Sequence, residues 1–112
     1  TSARIGEIGR HPPEEVRAFF LKHQDRILFG TDLTLGWAAF EQEESEREDL
    51  GGFYAAHWRF FETEERQIEY PGYPIQGRWK VDAVGLPDEV LEKLYRRNAL
   101  RLIPGLAEAL GG

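Results

Sequence analysis

The chain has 112 residues, of which 41% are hydrophobic and 30% charged, and its 20 acidic and 14 basic residues give a formal net charge of -6. These values predict one small, soluble, acidic globular unit and disfavour nonspecific nucleic-acid binding, which needs a basic face. Because the sequence contains no cysteine, its own side chains cannot form a disulfide, a thiolate zinc site or a cysteine nucleophile.

No apolar stretch approaches the roughly 20 residues that span a bilayer, and no charged-then-apolar leader opens the sequence. We therefore expect neither a membrane span nor a signal peptide, and we expect a cytoplasmic location.

The first clear helix signal is the pair Pro12 and Pro13, followed by Glu14 and Glu15. Proline at the first helical position gives up an amide that would have no partner, and the carboxylates face the positive end of the helix dipole. The residues that then recur at helical spacing are Val16, Phe19, Phe20 and His23. This pattern predicts an amphipathic helix.

The next segment, from Arg26 to Thr31, is a short apolar run that ends in Gly-Thr before Asp32. Such a run is typical of a strand buried on both faces, as in α/β proteins. A lone strand has no partner for its backbone groups, and the only other candidate strand is 79 to 84. We infer that the chain is one part of a larger sheet-containing unit.

The segment from Glu41 to Asp49 holds six carboxylates and one arginine, and so carries most of the net negative charge. A docking patch or a metal-collecting surface is one interpretation. The absence of an apolar stripe favours a solvated loop or helix face.

Two further helical regions follow. One is predicted from Phe53 to Glu62 after a break at Gly51 and Gly52, and a turn-rich connection follows at 70 to 74. The other begins after Pro87 and ends near Arg96 and Arg97. Beyond it, Asn98 is expected to cap a short helix that runs through Leu102. Pro104 and Gly105 are expected to stop that helix. The segment 106 to 110 is expected to add one more turn.

The histidines His11, His23 and His57 stand alone, and none belongs to a pattern that aims two imidazoles at one metal. We expect His11 to be exposed and His23 to cap or pack at the end of its helix. For His57 a core position is favoured over a cleft position. Neither serine has the sequence context of a catalytic nucleophile.

Asp32 is the residue that could carry chemistry. A carboxylate at the carboxyl end of a buried strand lies where α/β folds open their ligand crevices, and it can bind a divalent metal or accept a proton from metal-bound water. The pair Thr31 and Asp32 could equally cap the structure that follows. Asp25 precedes the predicted strand, on the side that usually governs stability.

Two stretches, Asp25 to Asp32 (DRILFGTD) and Leu94 to Leu102 (LYRRNALRL), together resemble the carboxyl-terminal part of the amidohydrolase-related (amidohydrolase 2) family of metal-dependent hydrolases and decarboxylases. Gly6 to Arg10 (GEIGR) is similar to a lead-in found in one branch of that family. The resemblance touches most of the chain from Gly6 to Leu106.

This resemblance implies an α/β fold in which the chain is the carboxyl-terminal portion of a (β/α)8 barrel, mostly helical, with residues 26 to 31 as the eighth strand. Asp32 would ligate zinc or another divalent metal, or act as general base. The family's HxH pair and its further histidines have no counterpart in these residues. A complete barrel takes about 250 residues, so 112 cannot supply one.

Residues 33 to 77 would then be an insertion between the last strand and the last helices. The aromatic residues of this insertion are Trp37, Phe53, Tyr54, Trp58 and Tyr73. They could line a substrate pocket, although the favoured interpretation is that they form a small core within the insertion.

The leading hypothesis is therefore the carboxyl-terminal segment of a metal-dependent hydrolase or lyase that acts on a small-molecule substrate, inactive as an isolated chain. The alternative is a noncatalytic helical interaction domain that self-associates to cover its unpaired strand, and so buries Ile27, Leu28 and Phe29 against another copy. A third hypothesis is an acidic module that binds a basic partner through residues 41 to 49.

Overall fold

The computed structural model describes residues 5–31, 50–69 and 80–111. Seven helices lie in these ranges: α1 (Ile5–Ile8), α2 (Pro13–Lys22), α3 (Leu50–Glu62), α4 (Asp88–Glu92), the π-helix π1 (Lys93–Arg97), α5 (Asn98–Leu102) and α6 (Leu106–Ala109). The two strands described are β1 (Ile68–Glu69) and β2 (Lys80–Val81). The described residues are mostly helical, with one two-stranded sheet. No described helix combines the length and the apolar character needed to cross a membrane.

Helix α2 begins at Pro13, where the proline and glutamate signals predicted it. Val16 and Phe20 point into the core, but Phe19 remains 57% exposed. The helix prediction is therefore confirmed, while only part of its apolar stripe is buried.

The predicted strand over residues 26 to 31 is wrong for this chain. Arg26 lies in a turn, and residues 27 to 31 form neither helix nor strand. The sequence pattern was that of a strand buried on both faces, yet Ile27, Leu28 and Phe29 are only half-buried. A strand requires a neighbouring strand for its ladder, and the described residues place none beside this segment.

Helix α3 begins at Leu50 and therefore includes Gly51 and Gly52, which the sequence analysis took as a break. Its Phe60 and Phe61 are fully buried in the same core as the residues of α2 and α4. The described part of the predicted insertion therefore packs into the common core and does not form a separate one.

Strands β1 and β2 pair antiparallel, with Ile68 opposite Val81 and Glu69 opposite Lys80. Strand β2 falls within the candidate strand 79 to 84, whereas β1 was not predicted. The turn before β1 contains Gln67 at φ 55°. The backbone N–H of Gln67 donates a 2.9 Å hydrogen bond to the Asp82 carboxylate.

The helical region from Asp88 to Leu102 is continuous through α4, π1 and α5. Asn98 has helical φ and ψ values of -65° and -40°, so it does not begin a separate helix, and the prediction of an N-cap is wrong. The helix ends before Pro104, and α6 adds the expected last turn.

One hydrophobic core joins α1, α2, α3, both strands, α4 and π1. Its buried members are Ile5, Val16, Phe20, Phe60, Phe61, Ile68, Val81, Ala83, Val84, Leu86, Val90, Leu91 and Leu94. Gly9 marks a close approach in this core, because a Cβ atom built there would lie 2.4 Å from the Val81 Cβ.

Several predictions concern residues outside the described ranges. These are Asp32, the acidic segment 41 to 49, the connection 70 to 74, and the aromatic residues Trp37 and Tyr73.

Candidate functional site

Asp32, the candidate catalytic or metal-binding residue, lies outside the described residues, and the structure follows the chain up to its neighbour Thr31. The candidate site is therefore described through the approach segment, which we define as Ile27–Thr31. Because this segment forms no strand, its position depends on contacts with other elements.

The approach segment is held through its backbone by the turn π1 and by Asn98. The Phe29 N–H donates a 2.9 Å hydrogen bond to the Leu94 carbonyl. The Asn98 side-chain amide donates to the carbonyls of Gln24, at 2.5 Å, and Ile27, at 3.0 Å. A carboxamide NH2 group has two hydrogens, and both are accounted for by these carbonyls.

Asn98 is only 2% exposed. A buried amide without hydrogen-bond partners would oppose folding. The two hydrogen bonds of Asn98 satisfy its side-chain amide, and the one to Ile27 also holds α5 against the approach segment.

Charged side chains surround the beginning of this region. The Lys93 ammonium lies 3.0 Å from the Asp25 carboxylate and donates a 2.8 Å hydrogen bond to the Gln24 side-chain oxygen. Arg101 donates to the Asp25 backbone carbonyl. Asp25 is thus engaged by Lys93 through its side chain and by Arg101 through its backbone carbonyl.

The Phe29 ring lies at the centre of an aromatic cluster. Its centroid is 5.4 Å from that of Tyr95, 6.1 Å from that of His57 and 6.3 Å from that of Phe61, and all three contacts are edge-to-face. This geometry is the favoured one for aromatic pairs. Side-chain packing therefore reinforces the backbone contacts of the approach segment.

His57 is 2% exposed and packs within this cluster, so the prediction of a core position is confirmed. His11 is exposed, as predicted. His23 follows α2 and packs against Phe19 at a ring distance of 4.7 Å, also as predicted.

A groove of about 620 Å³ opens beside Tyr95. Its lining residues are Glu62, Asp88, Leu91, Glu92, Tyr95, Arg96 and Arg97. The Tyr95 hydroxyl donates a 3.1 Å hydrogen bond to the Glu62 carboxylate. Arg97 pairs with Glu92 at 2.5 Å.

Burial raises the pKa of the Tyr95 hydroxyl, and the nearby negative charge and hydrogen bond of Glu62 raise this pKa further. Tyr95 is therefore a neutral hydrogen-bond donor at ordinary pH and not a base.

A smaller groove of about 380 Å³ lies beside α2 and is mainly apolar. Its lining residues are Ile8, His11, Glu15, Val16, Phe19 and Phe20.

Sequence reasoning missed Tyr95 and Glu62 and assigned Asn98 the wrong role. The signal for Tyr95 and Asn98 was present, because both belong to the LYRRNALRL stretch that carries the resemblance. Nothing in the local sequence pointed to Glu62, whose hydrogen-bond partner is 33 residues away.

Comparison of the chain with protein-family models, with curated proteins and with solved structures found no significant match.

Proposed function

We propose that the chain is the carboxyl-terminal part of a metal-dependent hydrolase or decarboxylase of the amidohydrolase-related family, with Asp32 as a ligand of a divalent metal, zinc being the first expectation, or as general base. Its substrate would be a small molecule. The proposal rests on the resemblance carried by Asp25 to Asp32 and Leu94 to Leu102.

The observation that best supports this proposal is the contact between those two stretches. They are separated by more than sixty residues, yet they are joined by Phe29 to Leu94 and by Asn98 to Ile27. Stretches that act together in one site are expected to pack together.

The residues described here do not by themselves fit a zinc site. Among residues 5–31, 50–69 and 80–111, no group of three histidine, aspartate or glutamate side chains is placed to hold a metal ion. Zinc sites use three or four protein ligands, and Asp32 could supply one. The other ligands would come from polypeptide outside these 112 residues, and we expect the isolated chain to be inactive.

A zinc titration of the chain tests this expectation. Competition with a chromophoric chelator at neutral pH should reveal no tight stoichiometric zinc binding, and Asp32→Asn should behave in the same way. Tight binding that is lost in Asp32→Asn would show that the chain holds a complete site of its own, contrary to the proposal.

The family assignment is tested on the coding DNA upstream of Thr1. An in-frame HxH pattern roughly two hundred residues earlier, about the length of the missing barrel, is expected. In the longer protein, Asp32→Asn should lower kcat by about 10²–10⁴-fold if the carboxylate is a general base. Unchanged activity in that variant would remove Asp32 from the mechanism.

A second candidate function is a noncatalytic helical domain that self-associates. It is favoured by the approach segment, where three consecutive large apolar residues are only half-buried and form no strand. Pairing with another copy would cover Ile27, Leu28 and Phe29.

Light scattering after size exclusion distinguishes the two functions. Self-association through this segment predicts a dimer that Leu28→Lys dissociates, whereas Leu110→Lys, at a site 63% exposed on α6, leaves it intact. A monomer at all concentrations excludes the second candidate.

A further inference from the structure

The turn π1 alters the hydrogen bonding of its helix at the point where the approach segment meets it. In an α-helix the Asn98 N–H would donate to the Leu94 carbonyl, four residues back. Here it donates to the Lys93 carbonyl, five residues back. The Leu94 carbonyl accepts instead from the Phe29 N–H.

The Asn98 side chain acts on the same segment from the end of π1. It donates to the Ile27 and Gln24 carbonyls, so the backbone is bonded at residues 24, 27 and 29 to a single region of the helix. π-helical turns occur frequently at functional sites. This one supplies a carbonyl acceptor and a buried amide donor to a segment that pairs with neither of the strands in the described ranges.

Tyr95 lies within π1 and fixes the same segment through its ring. The ring packs edge-to-face on Phe29, while the hydroxyl is held by Glu62 at the end of α3. The approach segment is therefore constrained from the helix by backbone, amide and aromatic contacts.

We infer that Asn98 is a positioning residue, which together with π1 fixes the approach segment, the stretch that directly precedes Asp32 in the sequence. The role of Asp32 rests on the proposed function, but the positioning of the segment is a property of this chain and is measurable without any metal or substrate.

Amide hydrogen exchange of the whole chain tests the inference. Asn98→Asp has the same shape but lacks the donor hydrogens, and Asn98→Leu has a similar size and no charge. In both variants the Phe29 amide should exchange about tenfold faster or more, because the hydrogen bonds from Asn98 to the Gln24 and Ile27 carbonyls are lost. Leu102→Ala, at a half-exposed position of α5, should leave the Phe29 amide unchanged.

The reference amides are those of Val84 and Leu86, which donate to the Phe60 and Phe61 carbonyls in the core. A positioning role predicts that Phe29 accelerates by a larger factor than these core amides. Equal acceleration of all three would show that Asn98 only stabilises the fold as a whole and would overturn the inference, as would unchanged exchange at Phe29.

If neither variant folds, the wild-type chain decides the question. Scalar couplings across the hydrogen bonds from Asn98 Nδ2 to the Gln24 and Ile27 carbonyl carbons should be detectable by NMR, and their absence in a folded sample would overturn the inference. The two proposals fail separately. Activity of the longer protein without any divalent metal would remove the proposed function without changing the exchange pattern, and uniform exchange would remove the positioning role without affecting metal dependence.

Discussion

Asn98 and Ile27 are 71 residues apart in the sequence, and the Asn98 side-chain amide donates a 3.0 Å hydrogen bond to the Ile27 carbonyl. This bond connects the two stretches on which the proposed function rests, Asp25 to Asp32 and Leu94 to Leu102. Because the acceptor is the backbone carbonyl of residue 27, it is present whatever side chain stands there, whereas position 98 requires a short side chain that carries an amide donor.

The neighbouring ion pair has a different character. Lys93 reaches Asp25 at 3.0 Å, but the Asp25 side chain is 67% exposed. Exposed pairs contribute about 0 to 1 kcal/mol because solvent screens them. The buried Asn98 bonds, rather than this pair, are therefore expected to determine how the approach segment lies on the helix.

Substitution of Phe20 should be far more costly than substitution of its neighbour Phe19. Phe20 is 3% exposed and packs on Phe61 at 5.6 Å, so Phe20→Ala leaves a cavity and should lower the free energy of unfolding by about 3–5 kcal/mol. Phe19→Ala should cost about 1 kcal/mol or less, since that ring is 57% exposed. Urea unfolding measures both, and equal costs would contradict the burial described here.

A methyl group at Gly9 should also destabilise the fold. It would lie 2.4 Å from the Val81 Cβ and 2.9 Å from the Ile5 carbonyl oxygen, so α1 would have to move away from β2. We expect Gly9→Ala to lower the free energy of unfolding by about 1–3 kcal/mol.

Gly51→Ala is the matched control for that substitution. Nothing lies within 4 Å of a Cβ at this position of α3, and alanine favours helix over glycine by up to about 1 kcal/mol. Thermal unfolding of the two variants should therefore shift in opposite directions. A stabilising Gly9→Ala would show that α1 does not pack on β2 as described.

Helix α2 illustrates what local sequence can predict. Its start depends on Pro13 and the adjacent glutamates, and its buried face depends on spacing within the same ten residues. Both determinants act over a few residues, so the helix follows from the sequence without knowledge of the remaining fold.

Asn98 and the approach segment illustrate what local sequence cannot predict. Asparagine before a short apolar run usually caps a helix, but here its partners are carbonyls 71 and 74 residues away, and the helix runs through it. An apolar run forms a strand only where another strand lies beside it, and this condition depends on the rest of the fold. The role of Asp32 remains a prediction from the resemblance.

Removal of Arg59 should raise the pKa of Glu65. The two side chains form paired hydrogen bonds of 2.6 and 2.9 Å, and the bonds and charge of Arg59 hold the pKa of the Glu65 carboxyl below its usual value. Carbon-13 NMR titration should therefore show a higher Glu65 pKa in Arg59→Gln than in the wild type. Lys80→Gln, which affects Glu69 instead, should leave the Glu65 pKa unchanged.

The sign of the accompanying stability effect follows from the lowered pKa. The Glu65 carboxylate contributes stability above the pKa that it has in the unfolded chain, and this contribution is lost as the pH falls through the lower folded pKa. Because both side chains are about half exposed, the effect should be small and should weaken further in high salt. A Glu65 pKa that is the same with and without Arg59 would contradict the paired geometry.

Tyr95→Phe should make the chain less sensitive to alkaline pH. Burial and Glu62 raise the pKa of the Tyr95 hydroxyl in the folded state, whereas the unfolded chain has the ordinary value of about 10. Above that value the Tyr95 hydroxyl loses its proton in the unfolded chain while it still keeps the proton in the folded chain. The contribution of Tyr95 to stability is therefore present below a pH of about 10 and is lost as the pH rises towards the folded pKa.

Urea midpoints measured between about pH 8 and pH 11 test this prediction. The variant keeps the ring contact with Phe29 but loses the bond to Glu62, so we expect it to lose about 1 kcal/mol or less at neutral pH and to show a shallower alkaline decline. Tyr54→Phe, which leaves the Tyr95 and Glu62 pair intact, should retain the wild-type decline. A Tyr95→Phe variant with the full wild-type decline would contradict both the burial of the Tyr95 hydroxyl and its bond to Glu62.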